Sequence, residues 1–293
     1  MTNDYQFEVE TLKKKFGGTR LNLLEKQVID KRLKWIRENY QIVNKIDSSP
    51  RAAYEFFLFE YLGISPEEVP VISETDEEII WESRNYCDAL EACISEKLDT
   101  KEICKKIYEK STQSFISAID PSLRFHRDYE QIRPYSDHCK EMIYKLNFQK
   151  MMRLALEEAI ISYDEGNKGY GAVVVYGKEV VGKAHDTAKT CNSPIQHAEI
   201  NAIQQAQKNI GSGDLSGTLL FSSCEPCPMC ASLAVWSNIT TIVFGASIEK
   251  TAKLGLSRIM ISNREIAEKA PVHLEIIDGV LEDECLKFYK ALA

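Results

Sequence analysis

The 293-residue sequence predicts an α/β fold, a three-layer α/β/α sandwich over residues 146–293, preceded by a mostly α-helical domain over residues 1–145. Glycine is the first indication: three of the fourteen glycines lie before Gly166, and the other eleven lie from Gly166 to Gly279. The glycine-rich half also carries β-branched runs, which are typical of strands joined by turns, whereas the Glu- and Lys-rich half is typical of helices. Strands that alternate with helices indicate helical layers on both faces of one sheet.

Four helices are expected in the first domain. Their ranges are Leu21–Tyr40, Ala52–Leu62, Glu82–Glu96 and Thr100–Ile119. Asp99 or Thr100 is the expected cap of the last helix, because short oxygen-bearing side chains accept from the free N–H groups of a first turn. The acidic segment Ile64–Glu78 contains Pro66 and Pro70 and is predicted to be a loop.

The segment Phe125–Tyr135 is rich in aromatic residues. Arg124 immediately precedes it, and Arg127 and Arg133 lie within it. These guanidinium groups are suited to contact a phosphate or a base. The competing expectation, which we favour, is a solvated interdomain helix with aromatic anchors that begins the connection between the two domains.

The second domain alternates helices and strands. The expected helices are Asn147–Tyr163, Ala198–Lys208, Cys227–Ser237 and Asp283–Leu292, and the expected strands are Ala172–Tyr176, Val180–Ala184, Thr218–Ser222, Thr241–Gly245 and Leu274–Ile277. The first two strands are expected to form a hairpin around Gly177-Lys178, since Gly-X is a plausible pair for a tight turn.

The composition bounds the class of protein. Apolar residues make up 44% of the chain and charged residues 27%, which excludes wholesale disorder and a fibrous fold. No apolar stretch approaches the roughly 20 residues that span a bilayer, and the first residues lack the apolar core of a secretory signal, so we expect a cytoplasmic protein. The net charge of −8 argues against a polyanion partner, because nucleic-acid binders usually carry a basic face.

The strongest chemical signal is His197-Ala198-Glu199 followed by Pro226-Cys227-Pro228-Met229-Cys230. This H-x-E and P-C-x-x-C pattern is a known signature of zinc deaminases. A catalytic zinc takes three protein ligands and leaves one position for water, and His197, Cys227 and Cys230 supply one nitrogen and two sulfurs. Glu199 is the expected general acid and base, since it follows the histidine too closely to share its ligation easily.

Other readings of the cysteine pair are a structural zinc half-site or a redox pair. A redox pair has no need of the upstream His-x-Glu, and a structural zinc normally takes a fourth Cys or His. Cys224 is the nearby rival ligand, and it lies on the strand side of Pro226. The pattern therefore favours a catalytic Zn²⁺ site.

From Asn147 onward the chain resembles the cytidine deaminase-like superfamily, within it the branch of guanine, cytosine and tRNA adenosine deaminases. The matching segments are GYGAVVV, HAEINAI, SSCEPCPMC and FGASIEKTAKLG. The resemblance implies the cytidine deaminase type of sandwich, a five-stranded sheet and frequent dimers. It also implies that the backbone N–H of Ala198 and the carbonyl of Glu225 hold the base edge and the leaving amine.

One departure concerns the His-Asn pair that members of this superfamily often carry ahead of the His-x-Glu, where the amide contacts the base. The corresponding pair here is His185-Asp186. A carboxylate only accepts hydrogen bonds, so Asp186 aimed at the base would select a ring N–H or an exocyclic amine. Alternatively, Asp186 caps the loop Thr187–Pro194.

Four cysteines of the first domain, Cys87, Cys93, Cys104 and Cys139, are separated by 6, 11 and 35 residues. A second metal site or an iron–sulfur cluster uses four thiolates, but these spacings contain no short chelating pair. We expect small buried residues in helices.

These features predict a hydrolase, a nucleobase or nucleoside deaminase that takes a guanine-like amino-purine first and a cytosine-like pyrimidine second. The expected partners are a small-molecule substrate and a second copy of the chain, without a membrane and without nucleic acid. The alternatives are a tRNA adenosine deaminase, and a zinc-containing binding protein without turnover that recruits a partner through its helical half.

Overall fold

The computed structural model describes residues 18–292, and the chain divides into two compact units, Met1–Leu146 and Asn147–Ala293. Among the described residues, every helix is too short or too polar to cross a bilayer.

The first unit contains α-helical and π-helical segments. The α-helices are α1 (Gly18–Glu38), α2 (Tyr40–Val43), α3 (Pro50–Glu55), α4 (Asp88–Glu96), α5 (Thr100–Ile103) and α6 (Lys110–Ser117). The π-helical segments Phe56–Tyr61 and Cys104–Glu109 continue α3 and α5 without a break. Asp99 caps α5 as expected, because its carboxylate accepts from the N–H of Lys101 at 2.9 Å.

The first unit also contains an antiparallel sheet. Its strands are β1 (Val71–Thr75), β2 (Glu78–Ser83), β3 (Leu123–Arg127) and β4 (Cys139–Lys145), in the order β1-β2-β4-β3. The expectation of a mostly α-helical domain is therefore wrong for this part of the unit. In β2 the residues Ile79, Trp81 and Ser83 are buried and alternate with more exposed ones, which is the period of a strand.

Three local predictions are corrected by this sheet. The predicted helix Glu82–Glu96 begins only at Asp88, because β2 extends to Ser83. The predicted loop Ile64–Glu78 contains β1, and the segment Phe125–Tyr135 begins as β3 rather than as an interdomain helix. That segment does not lead out of the unit, because β4 follows it and pairs with both β2 and β3.

Aromatic residues form much of the hydrophobic core of the first unit. Trp81, Tyr54 and Phe115 are at most 2% exposed, and the ring centroids of Tyr54 and Trp81 are 5.0 Å apart. The run Tyr54–Phe59 is thus largely core, because its first, third, fourth and fifth residues are buried. Burial of such rings supplies most of the hydrophobic stabilisation of a small unit.

The second unit alternates strands and helices. Its strands are β5 (Gly171–Tyr176), β6 (Glu179–His185), β7 (Thr218–Cys224), β8 (Thr241–Ala246) and β9 (Glu275–Ile277). Its helices are α7 (Phe148–Asp164), α8 (Ala198–Ile210), α9 (Pro228–Trp236), α10 (Ile248–Lys253), α11 (Asn263–Lys269) and α12 (Glu282–Leu292). The predicted elements of this unit are confirmed to within a few residues, and the sequence reading missed α10 and α11.

The five strands form one mixed sheet in the order β6-β5-β7-β8-β9. β5 is antiparallel to both neighbours, and β7, β8 and β9 are parallel. One face packs against α8 and α9 through Ala202, Ala234 and neighbouring core residues. The other face packs against α7, where the rings of Phe148 and Phe221 lie 5.2 Å apart. The unit is therefore a three-layer α/β/α sandwich.

Two glycines permit this close layering. A Cβ at Gly171 would lie 2.0 Å from the carbonyl oxygen of Ala155 on α7, and one at Gly182 would lie 2.2 Å from that of Ala202 on α8. Both distances are far below van der Waals contact. Glycine at these positions lets the helices pack onto the sheet, which fixes the position of the start of α8.

Candidate metal and catalytic site

Two helix N-termini converge at the carboxyl end of the sheet of the second unit. His197 is the residue that precedes α8, and Cys227 is the residue that precedes α9. β7, which is buried along its whole length, delivers the chain to the turn before Cys227. Pro228 occupies the first position of α9, where its missing N–H costs no hydrogen bond.

The side chains of His197, Cys227 and Cys230 meet at this point. The sulfur of Cys227 lies 3.6 Å from the sulfur of Cys230 and 3.6 Å from Nδ1 of His197, and the Cys230 sulfur lies 3.5 Å from the same nitrogen. A tetrahedral zinc, with bonds of about 2.3 Å to sulfur and about 2.0 Å to nitrogen, separates two sulfurs by about 3.8 Å and sulfur from nitrogen by about 3.5 Å. The donor set thus fits zinc in kind and in spacing.

Within residues 18–292, these three side chains are the one group of three or more potential metal ligands close enough to share an ion. Cys224, the rival ligand, is buried elsewhere: its sulfur contacts Arg258 Nη2 at 3.2 Å and Thr251 Oγ1 at 3.8 Å. Burial raises the pKa of the Cys224 thiol to about 11, so it stays protonated at neutral pH.

Protons are shared among the three donors. The hydrogen bond between the sulfurs of Cys227 and Cys230 lowers the pKa of Cys227 to about 4 and raises the pKa of Cys230. The hydrogen bond with Cys227 also raises the pKa of His197. The lowered pKa of Cys227 favours its thiolate, which is the form that binds metal.

Glu199 lies in the first turn of α8 beside these donors. Its carboxylate is buried, and its Oε1 accepts a hydrogen bond from Oγ of Ser222 at 3.0 Å. Burial raises the pKa of Glu199, which makes proton uptake more favourable than for an exposed glutamate. Ser222, at the buried end of β7, was predicted only as part of a strand, and no spacing in the sequence pairs it with Glu199.

Asp186 is fully buried at the end of β6. Its Oδ1 accepts from the backbone N–H of Ala188 at 3.2 Å, as in the expected loop cap. Its Oδ2 is buried and has no hydrogen-bond partner among the described residues. Its charge also acts on His197 and contributes to the raised pKa of that residue. The carboxylate therefore caps the loop with one oxygen and keeps the other available near the metal-binding set.

The other two predicted contact residues flank the set. Ala198 is buried at the first position of α8, where backbone N–H groups have no partner within the helix. The carboxylate of Glu225 accepts from the N–H groups of Ile248 and Asn263, each at 2.8 Å. The Glu225 side chain thereby holds the first residues of α10 and α11 against the turn before Cys227. The sequence did not predict this role.

Comparison with known proteins places this unit in a family. Residues 145–246 match the model of the cytidine and deoxycytidylate deaminase zinc-binding region. The tRNA-specific adenosine deaminase of Bacillus subtilis (strain 168) is 35% identical over 134 residues, which are 46% of this chain and 81% of that protein. The chain belongs to this deaminase family through its C-terminal half, which confirms the resemblance, and Zn²⁺ is the family's cofactor.

A second relative is the guanine deaminase of the same strain, 27% identical over 146 residues, which are 50% of this chain and 86% of that protein. Among solved structures, one from a study of tRNA:A34 deaminases is 26% identical. It covers 47% of this chain and 97% of its own, with a TM-score of 0.43.

Proposed function

We propose that the C-terminal unit hydrolytically deaminates an amino-purine or amino-pyrimidine ring, with a guanine-like purine as the preferred substrate. The observation that carries this proposal is the triangle of His197, Cys227 and Cys230 with the buried carboxylate of Glu199 beside it. A structural zinc site needs no adjacent buried carboxylate, whereas hydrolysis needs a group that moves protons.

In this proposal His197, Cys227 and Cys230 hold the zinc. Zinc, when bound, acidifies a coordinated water and makes a hydroxide nucleophile available at neutral pH. Glu199 takes one proton from the attacking water and delivers it to a ring nitrogen, and it then takes the second proton of that oxygen and delivers it to the departing amine. One water is consumed, the exocyclic C–N bond breaks, a carbonyl replaces it and ammonia leaves. The raised pKa of Glu199 suits a group that must both accept and release a proton.

Asp186 supports a guanine-like substrate. Its free Oδ2 can only accept a hydrogen bond. It therefore favours a ring that carries a second donor, a ring N–H or another amine, besides the amine that leaves. Guanine has a ring N–H at N1, next to the 2-amino group, and keeps it when that amine leaves. Adenosine within RNA has one exocyclic amine, which is the group that leaves, and no ring N–H. Base contacts from the N–H of Ala198 and the carbonyl of Glu225 complete the proposed substrate site.

Adenosine in tRNA is the second candidate, and the B. subtilis tRNA-specific deaminase favours it, since that relative is more similar to this chain than the guanine deaminase is. The charge of the unit weighs against it. Residues 145–293 carry 15 basic and 17 acidic side chains, and α12 begins with Glu282-Asp283-Glu284. Contacts to phosphates supply most of the affinity for RNA, and they require basic groups.

The test is a panel assay of ammonia release by the zinc-loaded full chain on guanine, guanosine, cytosine, cytidine and adenine. A parallel arm measures inosine formed in unmodified tRNA by nucleoside mass spectrometry. We expect the fastest turnover with a guanine-type base or nucleoside. Inosine in tRNA without turnover of any free compound would overturn the substrate assignment in favour of the second candidate. No product in either arm would overturn the enzyme assignment.

A further inference from the structure

The first unit contains a cavity of about 280 Å³, near the lower end of the range of roughly 300–1,000 Å³ found for small-molecule sites. α1, the π-helical segment Phe56–Tyr61, the start of α4 and the sheet all contribute to its wall. Its lining combines two kinds of side chain. Three arginines lie among the apolar residues Phe57, Leu58, Leu62 and Ile64, and the Arg32 guanidinium lies 5.4 Å from the centre of the Phe57 ring.

The three guanidinium groups belong to Arg32, Arg127 and Arg133, and the lining carries two carboxylates, Asp88 and Glu141. Two of the thiols in the lining, Cys87 and Cys104, do not reduce this positive excess. Burial raises the pKa of Cys104 to about 12 and also raises that of Cys87, so both are neutral at pH 7. A partly open cavity whose lining carries more positive than negative groups favours an anion.

One of the two carboxylates is committed to holding an arginine in place. Glu141 and Arg127 are opposite each other across β4 and β3, and Oε1 of Glu141 accepts from Nε of Arg127 at 2.9 Å and from its Nη2. The other oxygen of Glu141 accepts from Nε1 of Trp81 at 3.1 Å and from Oγ of Ser83. The carboxylate is thus enclosed by donors and positions the Arg127 guanidinium at the cavity wall.

Arg133 has an unused donor. Its Nη1 donates to the carbonyl oxygen of Asn85 at 2.8 Å, but its Nε is buried and has no hydrogen-bond partner among the described residues. A buried N–H of a charged group without an acceptor is unfavourable, and because Arg133 lines the cavity, an anion bound there would stabilise its guanidinium group. The first turn of α4, residues 88–90, lines the same cavity and adds N–H groups at the positive end of that helix.

From this arrangement we infer that the first unit is a binding module for a small organic oxyanion, a phosphate or carboxylate attached to an apolar or aromatic group. The oxyanion lies against the guanidinium groups of Arg133 and Arg127 and against the start of α4. The organic group packs against Phe57 and Leu58. The three arginines come from α1, β3 and the segment before β4, so the cavity depends on the fold of the whole unit. All of its lining residues belong to the first unit, whereas the proposed deaminase site belongs to the second.

The test is isothermal titration of the zinc-loaded full chain with phenyl phosphate, benzoate and inorganic phosphate. We expect saturable binding of phenyl phosphate or benzoate, and whichever binds more tightly identifies the oxyanion. Inorganic phosphate should bind at least about tenfold more weakly than phenyl phosphate, because it lacks the phenyl ring that packs against the apolar side chains of the lining. Absence of binding by all three probes up to about 10 mM would overturn the inference.

Arg133→Gln removes the unpartnered Nε–H and should weaken binding of the better probe by about tenfold or more. Arg84→Gln is the matched control, because Arg84 pairs with Glu82 on the exposed surface of the same unit. Ala89→Leu fills the cavity without a change of charge and should also weaken binding, which keeps the test valid if Arg133→Gln does not fold. Unchanged binding in a folded Arg133→Gln or Ala89→Leu protein would place the probe elsewhere and overturn the inference.

Discussion

Both units of this chain contain several cysteines, but the two sets are arranged differently. In the second unit Cys227 and Cys230 lie in and just before one helical turn and face His197 at the start of another helix, with all donor atoms within 4.8 Å of one another. In the first unit Cys87, Cys93, Cys104 and Cys139 have no such short spacing, and no metal group forms among its described residues. The comparison shows that sequence spacing and helix-terminal placement distinguish metal ligands from buried thiols.

The largest effect that follows from this comparison is on metal content. Cys227→Ala removes one of three donors and should abolish both zinc retention and ammonia release. Cys104→Ala, in the first unit, should leave one zinc per chain and the activity in place, because its thiol is neutral and outside the donor set. Zinc analysis after gel filtration, together with the panel assay, measures both quantities. Equal loss of zinc in the two variants would contradict the assignment.

The first unit instead uses a buried ion pair, and its removal should affect folding. Glu141→Gln leaves the Arg127 guanidinium without its compensating charge and should lower the free energy of unfolding by about 3–5 kcal/mol. Urea unfolding followed by tryptophan fluorescence measures this, since Trp81 donates to Glu141. The control is Glu74→Gln, whose partner Arg51 is on the surface, and it should change stability little. A similar loss in both variants would show that the buried pair has no special role.

A smaller effect is expected at the substrate. Asp186→Asn replaces the carboxylate with an amide, which can donate as well as accept a hydrogen bond. The preference for guanine-type over other substrates should therefore change by about tenfold, while zinc is retained. Asp278→Asn, at an exposed ion pair with Arg264, is the control. The ratio of kcat/KM values for two substrates reports the change. An unaltered ratio would show that Asp186 does not contact the substrate base and serves only as the acceptor for the N–H of Ala188.

The sequence predicts the second unit well because its signals are local. The His-x-Glu and Cys-x-x-Cys patterns each lie within one helical turn, and Gly177-Lys178 separates two strands that do form an antiparallel hairpin. The first unit was predicted poorly in its sheet. The alternation of Ile79 and Trp81 in β2 is short and surrounded by acidic residues, and it lies between the predicted loop, which ends at Glu78, and the predicted helix, which begins at Glu82.

Long-range features could not be predicted from local patterns. The cavity brings together Arg32, Arg127 and Arg133 from distant parts of the chain, and the sequence contains no periodicity that relates them. The same holds for the hydrogen bond between Ser222 and Glu199, and for the carboxylate of Glu225, which caps two helices that the sequence reading missed. The free oxygen of Asp186 is also a property of packing, since either role of this residue fits the sequence equally.

The most direct test of the central claim is a paired measurement of zinc content and ammonia release for the native chain and Glu199→Gln. The substitution keeps the shape of the side chain and removes its ability to accept and return a proton. If Glu199 carries the proton, we expect one zinc per chain in both proteins and a loss of turnover of about 10²–10⁴-fold in Glu199→Gln. Full zinc with undiminished ammonia release in that variant would contradict the role of Glu199 as the proton carrier.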